Sequence, residues 1–284
     1  MTRSPSFGAP PTGRYFIKMH GLQNHFVIVD GRNEAYRPDV EEIIRVCDQK
    51  TGVGGDQLLI IQPPTHGNEA FAFMRILNVD GREVEACGNA TRCVAWLLME
   101  EAGTDVIVLE TLAGLIECRR TGDRSVSCAM GKLSMNWKDI PLAEERDTCH
   151  VNLAHTPLTD GVALNIGNPH IVFFTDNLES VDIVSIAPAI QKDALFPEEV
   201  NVGVAEIRSA DHMVLKVYER GAGLTTACGS GACAAVYAAQ QRGLTEKNKM
   251  TVTMSAGDMV IEIRADGTAV MTGPVTYCFS GYYQ

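Results

Sequence analysis

A short cysteine motif occurs twice in this chain, and each copy opens an apolar stretch with helical spacing. The first copy reads ACGNATRC at residues 86–93, and the second reads ACGSGAC at residues 227–233. At the beginning of a helix, backbone N–H groups and the helix dipole favour the thiolate form of a cysteine. The two copies therefore predict two matched thiols, Cys87 and Cys228, that act together.

The repeat extends well beyond the cysteine motif. The segment MRILNVDG at 74–81 leads into the first copy, and LKVYERG at 215–221 leads into the second at a similar offset. Further upstream, NHFVIV at 24–29 has a counterpart in NPHIVF at 168–173. Repeated segments in the same order indicate duplicated structural units. We therefore expect two homologous halves with a ligand pocket between them.

Charge and cysteine usage limit the class of protein. The formal net charge of -11 argues against a general nucleic-acid binder and against a polybasic membrane binder. No apolar run approaches the length of a membrane span. The nine cysteines are an odd number and no secretion signal is recognisable, so we expect free thiols in the cytoplasm. The cysteine spacings match no common zinc framework, so no metal is expected.

Many short strands, with one central helix in each half, favour an α+β fold over a doubly wound parallel sheet. We expect two pseudo-symmetric domains, each made of antiparallel strands wrapped around a central helix, with the active site in the cleft between them. Residues 1–13 are expected to form a disordered tail. Residues 14–131 together with 274–284 would form the N-terminal domain, and residues 132–273 the C-terminal domain. The stretch 133–148 has few apolar residues and predicts a linker.

Two opposed thiols can invert a stereocentre. One removes a proton from a carbon while the other protonates its opposite face, and no pyridoxal phosphate is needed. Their proton affinities are coupled because two adjacent thiolates repel each other. Backbone N–H groups that follow Cys87 and Cys228 could hold an α-carboxylate and stabilise its developing charge. Gly88 and Gly229 would allow the close approach that this requires.

Eight motifs in order carry a specific resemblance. They are KMHGL at 18–22, GVGGDQ at 52–57, NVDG at 78–81, the first cysteine motif, GNPH at 167–170, NV at 201–202, ERG at 219–221 and the second cysteine motif. The chain closely resembles the diaminopimelate epimerase family of amino-acid epimerases over nearly its whole length, from about residue 15 to about residue 283. The resemblance implies a homodimer without a cofactor, and a last strand that returns to the N-terminal domain.

The resemblance also implies roles for individual residues. Cys87 would donate and Cys228 would accept the proton in the LL-to-meso direction, and His170 and Glu219 would tune the thiol pKa values. Glu219 would pair with the distal ammonium group of the substrate, and Arg220 with its distal carboxylate, a bidentate task that suits a guanidinium. The full set implied to contact substrate is Asn24, Gln57, Asn78, Gly88, Asn89, Asn168, Asn201, Glu219, Arg220, Gly229 and Ser230. Of these, Gly88-Asn89 and Gly229-Ser230 would bind the α-carboxylate at the reacting centre.

The chain departs from the usual family pattern in two places. Ala90 stands where the family usually has a glycine, and we expect it to be tolerated because it falls in the opening turn of the helix. Gln23 and His25 flank Asn24 where the family usually has Gly and Asp. These larger neighbours of Asn24 would alter the geometry of its loop.

The predicted function is the interconversion of LL- and meso-2,6-diaminopimelate, a small-molecule substrate of lysine and peptidoglycan precursor biosynthesis. A proline or hydroxyproline racemase is the nearest alternative, although such enzymes typically show Cys-Gly-His where this chain has Asn89. A phenazine-synthesis type isomerase shares the fold but lacks the cysteine pair. A thiol redox or binding protein of the same fold is the non-enzyme alternative, and its working state would be a Cys87–Cys228 disulfide.

Overall fold

The computed structural model describes residues 12–284, so residues 1–11 of the expected tail lie outside the described residues. Within that range the α-helices are α1 (Val40–Cys47), α2 (Gly88–Ala102), α3 (Ile183–Gln191) and α4 (Gly229–Gln241). The strands of the first half are β1 (Arg14–Gly21), β2 (Asn24–Asp30), β3 (Gln57–Gln62), β4 (Ala72–Asn78), β5 (Glu83–Val84), β6 (Val106–Thr111), β7 (Gly114–Gly122) and β8 (Ser125–Lys132). Those that follow are β9 (Val162–Asn165), β10 (Pro169–Phe174), β11 (Asn201–Ser209), β12 (His212–Glu219), β13 (Gly223–Thr225), β14 (Lys249–Met254), β15 (Gly257–Ile263), β16 (Thr268–Pro274) and β17 (Thr276–Tyr283).

The strands form one continuous hydrogen-bonded network. From one end it runs β17-β1-β2-β3-β4-β6-β7-β8, then crosses to β16-β15-β14-β12-β11-β10-β9. The short β5 and β13 pair with β4 and β12 respectively. The antiparallel pair β8–β16 joins the two halves. β17 pairs with β1, so the end of the chain returns to the first half, as the family resemblance implies.

The pairing pattern of the second half reproduces that of the first. The parallel pairs β2–β3 and β4–β6 correspond to β10–β11 and β12–β14, and the antiparallel pairs correspond in the same way. The α+β class and the internal repeat are therefore confirmed. The expectation of purely antiparallel strands is corrected, because these four pairs are parallel. In each of them a helix lies between the two strands in the chain, which is the crossover that parallel pairing requires.

The two central helices, α2 and α4, are buried on most of their surface. Cys93 and Cys233 lie one and a half turns into them and are fully buried, as expected of packing residues. The faces of α4 consist largely of alanine, which lets the strands approach closely, so a larger side chain there would cost about 1–3 kcal/mol. Each helix is followed by a glycine in the left-handed conformation that such an end favours, with φ 63° at Gly103 and φ 66° at Gly243.

The stretch 133–148 differs from an exposed linker. It has little regular structure, yet Ile140 and Leu142 are buried in an apolar cluster with Phe173 and with residues of α3. This segment therefore packs as part of the second half. Among residues 12–284, none of the helices has both the length and the apolar character needed to cross a membrane.

Candidate active site

Polar side chains of the first half meet at one edge of the sheet. Asn24 and Gln57 are the first residues of the parallel strands β2 and β3, and Asn78 is the last residue of the antiparallel β4. Strands running in these directions bring all three positions to the same edge. The Gln57 side-chain Nε2 donates to Asn78 Oδ1 at 2.9 Å. Gln57 Oε1 is buried and has no hydrogen-bond partner among the described residues, so it can accept from a bound ligand.

The second half places its polar residues at the equivalent edge. Asn168 immediately precedes β10, Asn201 is the first residue of β11, and Glu219 is the last residue of β12. The side chain of Asn201 bridges two backbone groups. Its Nδ2 donates to the Pro169 carbonyl at 2.9 Å, and its Oδ1 accepts from the backbone N–H of Arg220 at 2.9 Å. The structural repeat thus presents corresponding polar groups from both halves.

Cys87 occupies the N-cap position of α2. Its Sγ lies 3.7 Å from Asn24 Oδ1, and Asn89 Nδ2 donates to the same oxygen at 3.4 Å. Burial raises the pKa of the Cys87 thiol to about 11, although the backbone N–H groups of Ala90 and Asn89 oppose that shift. The thiol therefore lies among amides that can both position it and bind a carboxylate.

Cys228 caps the N-terminus of α4 in the equivalent place. Its Sγ accepts from the Gly231 backbone N–H at 3.4 Å and lies 3.5 Å from Ser230 Oγ. Burial raises the pKa of Cys228 well above its usual range, and the charge of Glu219 raises it further. Both cysteines are free thiols.

The thiol pKa values differ from the sequence expectation. The N–H groups at the helix starts do favour the thiolates of Cys87 and Cys228, as predicted, but burial outweighs them at both sites. The same carboxylate, Glu219, raises the pKa of both thiols. Thr225 Oγ1 donates to Glu219 Oε1 at 2.6 Å and fixes that carboxylate. One negative group therefore acts on both cysteines, although they belong to different halves.

His170 reaches Cys228 only through an intermediary. Its Nε2 lies 3.1 Å from Ser230 Oγ and 3.1 Å from Asn168 Oδ1, and Ser230 in turn contacts the Cys228 sulfur. The imidazole is fully buried, and burial lowers its pKa to about 3, with a smaller contribution from the charge of Arg220. The imidazole is therefore neutral at ordinary pH, and its hydrogen bond orients the Ser230 hydroxyl group.

The starts of α2 and α4 pack against the same side chain, Met271 of β16. This contact places Gly88 and Gly229, the residues that follow the two cysteines, beside the terminal Sδ and Cε atoms of one methionine. Arg220 directly follows Glu219 at the end of β12. It is exposed, and its Nη1 donates to the Glu198 carbonyl at 2.6 Å, which leaves the rest of the guanidinium open.

The geometry of two cysteine-capped helices in a duplicated fold agrees with comparisons to known proteins. The family model of diaminopimelate epimerase matches residues 16–136 and 162–278. The chain belongs to the diaminopimelate epimerase family. It is accordingly an isomerase of the epimerase class.

Relatives named diaminopimelate epimerase align over almost their full length. The protein from Rhodospirillum centenum is 44% identical over 268 residues, which are 94% of this chain and 91% of the relative. The protein from Phenylobacterium zucineum is 44% identical over 273 residues, 95% of this chain and 97% of the relative. The protein from Caulobacter vibrioides is 45% identical and covers 94% and 96% of the two chains.

Solved structures with the same fold are more distant in sequence. A phenazine biosynthesis protein of the PhzF family from Bacillus anthracis has a TM-score of 0.67 at 14% identity, covering 96% of this chain and 99% of its own. A probable proline racemase from Agrobacterium radiobacter has a TM-score of 0.67 at 15% identity, covering 95% and 93%. At such identities the likeness concerns the fold alone.

The two departures from the diaminopimelate epimerase pattern have different structural outcomes. Ala90 lies in the first turn of α2 without a positive φ, so it is accommodated as expected. Leu22 and Gln23, by contrast, have φ values of 52° and 63°, a left-handed turn in which glycine carries no steric cost.

Asp56 and Arg92 were not assigned a role from the sequence. Asp56 secures the loop after the left-handed turn, because its Oδ2 accepts from Asn24 Nδ2 at 3.1 Å and from the His25 backbone N–H at 2.7 Å. Its place in the GVGGDQ motif, directly before Gln57, was the available signal. The signal for Arg92 was a charged residue in the first half of α2, far from the other charged residues of that helix, Glu100 and Glu101.

Proposed function

We propose that this protein interconverts LL- and meso-2,6-diaminopimelate by proton transfer between the α-carbon of the substrate and two thiols, Cys87 and Cys228, without a cofactor. The observation that carries the two-thiol proposal is that both cysteines occupy the N-cap positions of helices whose starts contact the same side chain, Met271. The charge of Glu219 supports it, because it raises the pKa of both thiols.

In the proposed reaction the two thiols account for every proton that the α-carbon loses and gains. In the LL-to-meso direction the Cys228 thiolate takes the α-proton, so that a C–H bond breaks and an S–H bond forms. The Cys87 thiol delivers its proton to the opposite face of the same carbon, so that an S–H bond breaks and a C–H bond forms. The charges of the two sulfurs are exchanged, and the reverse reaction begins from that state.

The carbanionic transition state needs stabilisation at the α-carboxylate. Gly88 and Asn89 begin α2, and Gly229 and Ser230 begin α4, so their free backbone N–H groups point out of the helix ends. Such fixed donors in a site shielded from water stabilise developing charge without reorganisation. We assign these four residues to the carboxylate at the reacting centre.

Raised thiol pKa values serve the abstraction step. A thiolate with a high pKa is a stronger base toward a weakly acidic α-proton, but it is scarce at neutral pH. If the distal ammonium group of the substrate pairs with Glu219, the negative charge that raises both thiol pKa values is neutralised on binding. Substrate binding would then itself favour formation of the thiolate.

The distal amino-acid head is assigned to the strand-end residues and to Arg220. The open part of the Arg220 guanidinium suits a carboxylate in a bidentate arrangement. The side chains assigned to hold the remainder of the substrate are Asn24, Gln57, Asn78, Asn168 and Asn201. The unpartnered Gln57 Oε1 supports this assignment, because an ammonium group would satisfy it.

The wider setting is also part of the proposal. We infer a division into a domain of residues 14–131 with 274–284 and a domain of residues 132–273, supported by the separate apolar clusters around α2 and α4. We further propose a cytoplasmic homodimer that serves lysine and peptidoglycan precursor biosynthesis, on the basis of family membership.

The deciding experiment is proton NMR of LL-diaminopimelate in heavy water with the reduced protein. We expect meso product that carries deuterium at the α-carbon. We expect neither meso product nor deuterium incorporation with Cys87→Ala or with Cys228→Ala. Cys278→Ala is the matched control, since that thiol is exposed on β17 and has no proposed role. Exchange of proline without exchange of diaminopimelate would instead establish the racemase alternative. If neither diaminopimelate nor proline exchanges its α-proton, and the protein forms a stable Cys87–Cys228 disulfide, the result would indicate a redox protein.

A further inference from the structure

Arg92 is a fully buried charge without an acidic partner. It lies in the second turn of α2, its relative exposure is 0%, and among residues 12–284 it takes part in no ion pair. Burying an unpaired charge is costly, and buried guanidinium groups are usually paired with carboxylates. An arginine kept in such a place calls for a function that an apolar side chain could not supply.

The surroundings of Arg92 are built from both halves of the fold. Its Nη1 lies 3.2 Å from Met271 Sδ and 3.6 Å from Met259 Sδ, and thioether sulfurs are weak acceptors. Two glycines leave the space for the guanidinium. A Cβ on Gly273 would lie 3.1 Å from Arg92 Cζ, and one on Gly21 would lie 3.2 Å from Nη2. The Nε of Arg92 has no hydrogen-bond partner in the described part of the chain.

The guanidinium makes one strong hydrogen bond, and it is directed at the site. Arg92 Nη2 donates to Asn89 Oδ1 at 2.7 Å. This contact turns the Asn89 Nδ2 toward Asn24 Oδ1, at 3.4 Å, and the same oxygen lies 3.7 Å from Cys87 Sγ. Because a charge-assisted bond holds its oxygen, the Asn89 amide cannot flip without loss of that bond.

The positive charge also acts on the surrounding thiols. Arg92 lowers the pKa of Cys87, whereas burial and the charge of Glu219 raise it. The groups with the largest electrostatic effect on Arg92 are thiols, among them Cys87, Cys93 and Cys233. Burial lowers the pKa of Arg92 itself, but a guanidinium begins from so high a value that it stays charged.

We propose that Arg92 is a positioning residue for Cys87, whose guanidinium fixes the Asn89 amide beside the thiol and supplies the buried positive charge that stabilises the Cys87 thiolate. The proposal rests on the proposed function for its kinetic consequence, but not for its effect on the thiol. It accounts for the missing carboxylate, because an acidic partner would cancel the charge that the thiolate needs.

The test uses three variants of the full chain and two readouts. Arg92→Met removes the charge and the bond to Asn89 while filling the space, and Arg92→Lys keeps the charge but loses the planar fork. Met259→Leu is the matched control, since it disturbs the packing around the guanidinium and conserves volume. The first readout is the rate at which iodoacetamide alkylates Cys87, followed by peptide mass spectrometry from about pH 6 to about pH 10. The second is epimerisation of LL-diaminopimelate, with kcat and KM determined separately.

We expect the Cys87 alkylation profile of Arg92→Met to move to higher pH by about one unit, which appears as an about 10-fold slower reaction at each pH below the thiol pKa of about 11. We expect kcat to fall by about 10-fold or more. Arg92→Lys should retain the profile and lose about 5-fold in kcat, and Met259→Leu should resemble the unmodified protein. An unchanged profile in folded Arg92→Met would overturn the proposal, as would an equal loss of kcat in Met259→Leu. If Arg92→Met does not fold, Arg92→Lys decides, and an unaltered kcat there would refute the positioning role.

The alkylation readout does not depend on the substrate. If the unmodified protein fails to epimerise diaminopimelate but Arg92→Met still shifts the Cys87 profile, the proposed function is wrong and the role of Arg92 in stabilising the thiolate stands. If the unmodified protein epimerises diaminopimelate normally and Arg92→Met does not shift the Cys87 alkylation profile, the proposed function stands and the proposed role of Arg92 is refuted.

Discussion

Gly88 and Gly229, the first residues of the two central helices, both face the terminal atoms of a single buried side chain, Met271. A Cβ on Gly88 would lie 2.2 Å from Met271 Cε, and one on Gly229 would lie 2.5 Å from Met271 Sδ. Neither glycine has a positive φ, so these positions require glycine for close approach rather than for backbone freedom. Met271 therefore acts as the spacer between the two helix starts that carry the thiols.

Gly229→Ala should impair the reaction more than it impairs folding. Met271 is fully buried and also contacts Arg92, so it has little room to yield to the added methyl group. We expect kcat to fall by roughly 10-fold or more, because small misplacements of reacting groups are expensive. Met271→Ala should restore part of the loss when combined with it, and kcat measurements on the four proteins of this cycle test the coupling.

Gly122→Ala is the control for that substitution. It adds the same methyl group at a glycine of ordinary φ, where the nearest atom would be Ser125 Cβ at 3.5 Å. Equal kcat values for Gly229→Ala and Gly122→Ala would show that Met271 does not set the distance between the helices.

His170 should make the protein less stable as the pH falls. Its pKa is lowered from 6.5 to about 3 in the folded state, so between these values the unfolded state binds a proton that the folded state does not. This contribution to stability is fully present above the unfolded pKa and is lost toward the folded pKa, at up to about 1.4 kcal/mol per pH unit. Urea unfolding at several pH values should give a smaller slope for His170→Gln, whereas exposed His155→Gln should keep the original slope. Identical slopes for both variants would exclude a neutral buried imidazole.

Glu219→Gln should make Cys228 more reactive. The Glu219 charge raises the pKa of both thiols, and its removal leaves burial as the remaining cause of the shift. At a pH below the thiol pKa, a decrease of one unit gives about ten times more thiolate. We expect iodoacetamide to alkylate Cys228 correspondingly faster, as measured by peptide mass spectrometry. Glu246→Gln removes an exposed charge and should leave the rate unchanged; an equal increase there would point to net charge as the cause.

Arg220→Lys should weaken substrate binding rather than chemistry. A lysine keeps one positive charge but cannot offer two parallel donors to the distal carboxylate. We expect KM for diaminopimelate to rise by about 10-fold with a smaller change in kcat, as steady-state kinetics would show. A KM that stays constant while kcat falls would place Arg220 nearer the reacting centre than proposed.

The sequence predicted what depends on local pattern and missed what depends on packing between distant residues. The duplicated motif and the strand-end asparagines could be recognised because they recur in order, and they lead to the observed repeat of strands and helices. The helix α3 was not predicted, although Ile183, Ala187 and Ile190 have helical spacing and are buried. Pro188 lies inside this helix, and proline in a helix interior usually argues against a helix. The contact of Arg92 with Met271 joins residues 179 positions apart, so no sequence window contains it.

The outcome at the two cysteines shows the same limit. That each occupies the N-cap position of a helix follows from the motif, and the structure agrees. The direction of the pKa shift does not follow, because desolvation depends on how completely the neighbouring elements cover the sulfur. The N–H groups expected at Cys87 are present, but burial has the larger effect.

Gln23→Gly should stabilise the loop that carries Asn24. Gln23 has φ 63°, a conformation that costs a non-glycine residue roughly 1–2 kcal/mol, while glycine loses part of this gain through its greater freedom when unfolded. We therefore expect the free energy of unfolding to rise by up to about 1 kcal/mol, measured by urea denaturation. Gln62→Gly is the comparison, because it places glycine at the last residue of β3, where Gln62 is paired with Phe73, and should be destabilising. A loss of stability in Gln23→Gly would mean that the glutamine side chain makes contacts that compensate for its backbone.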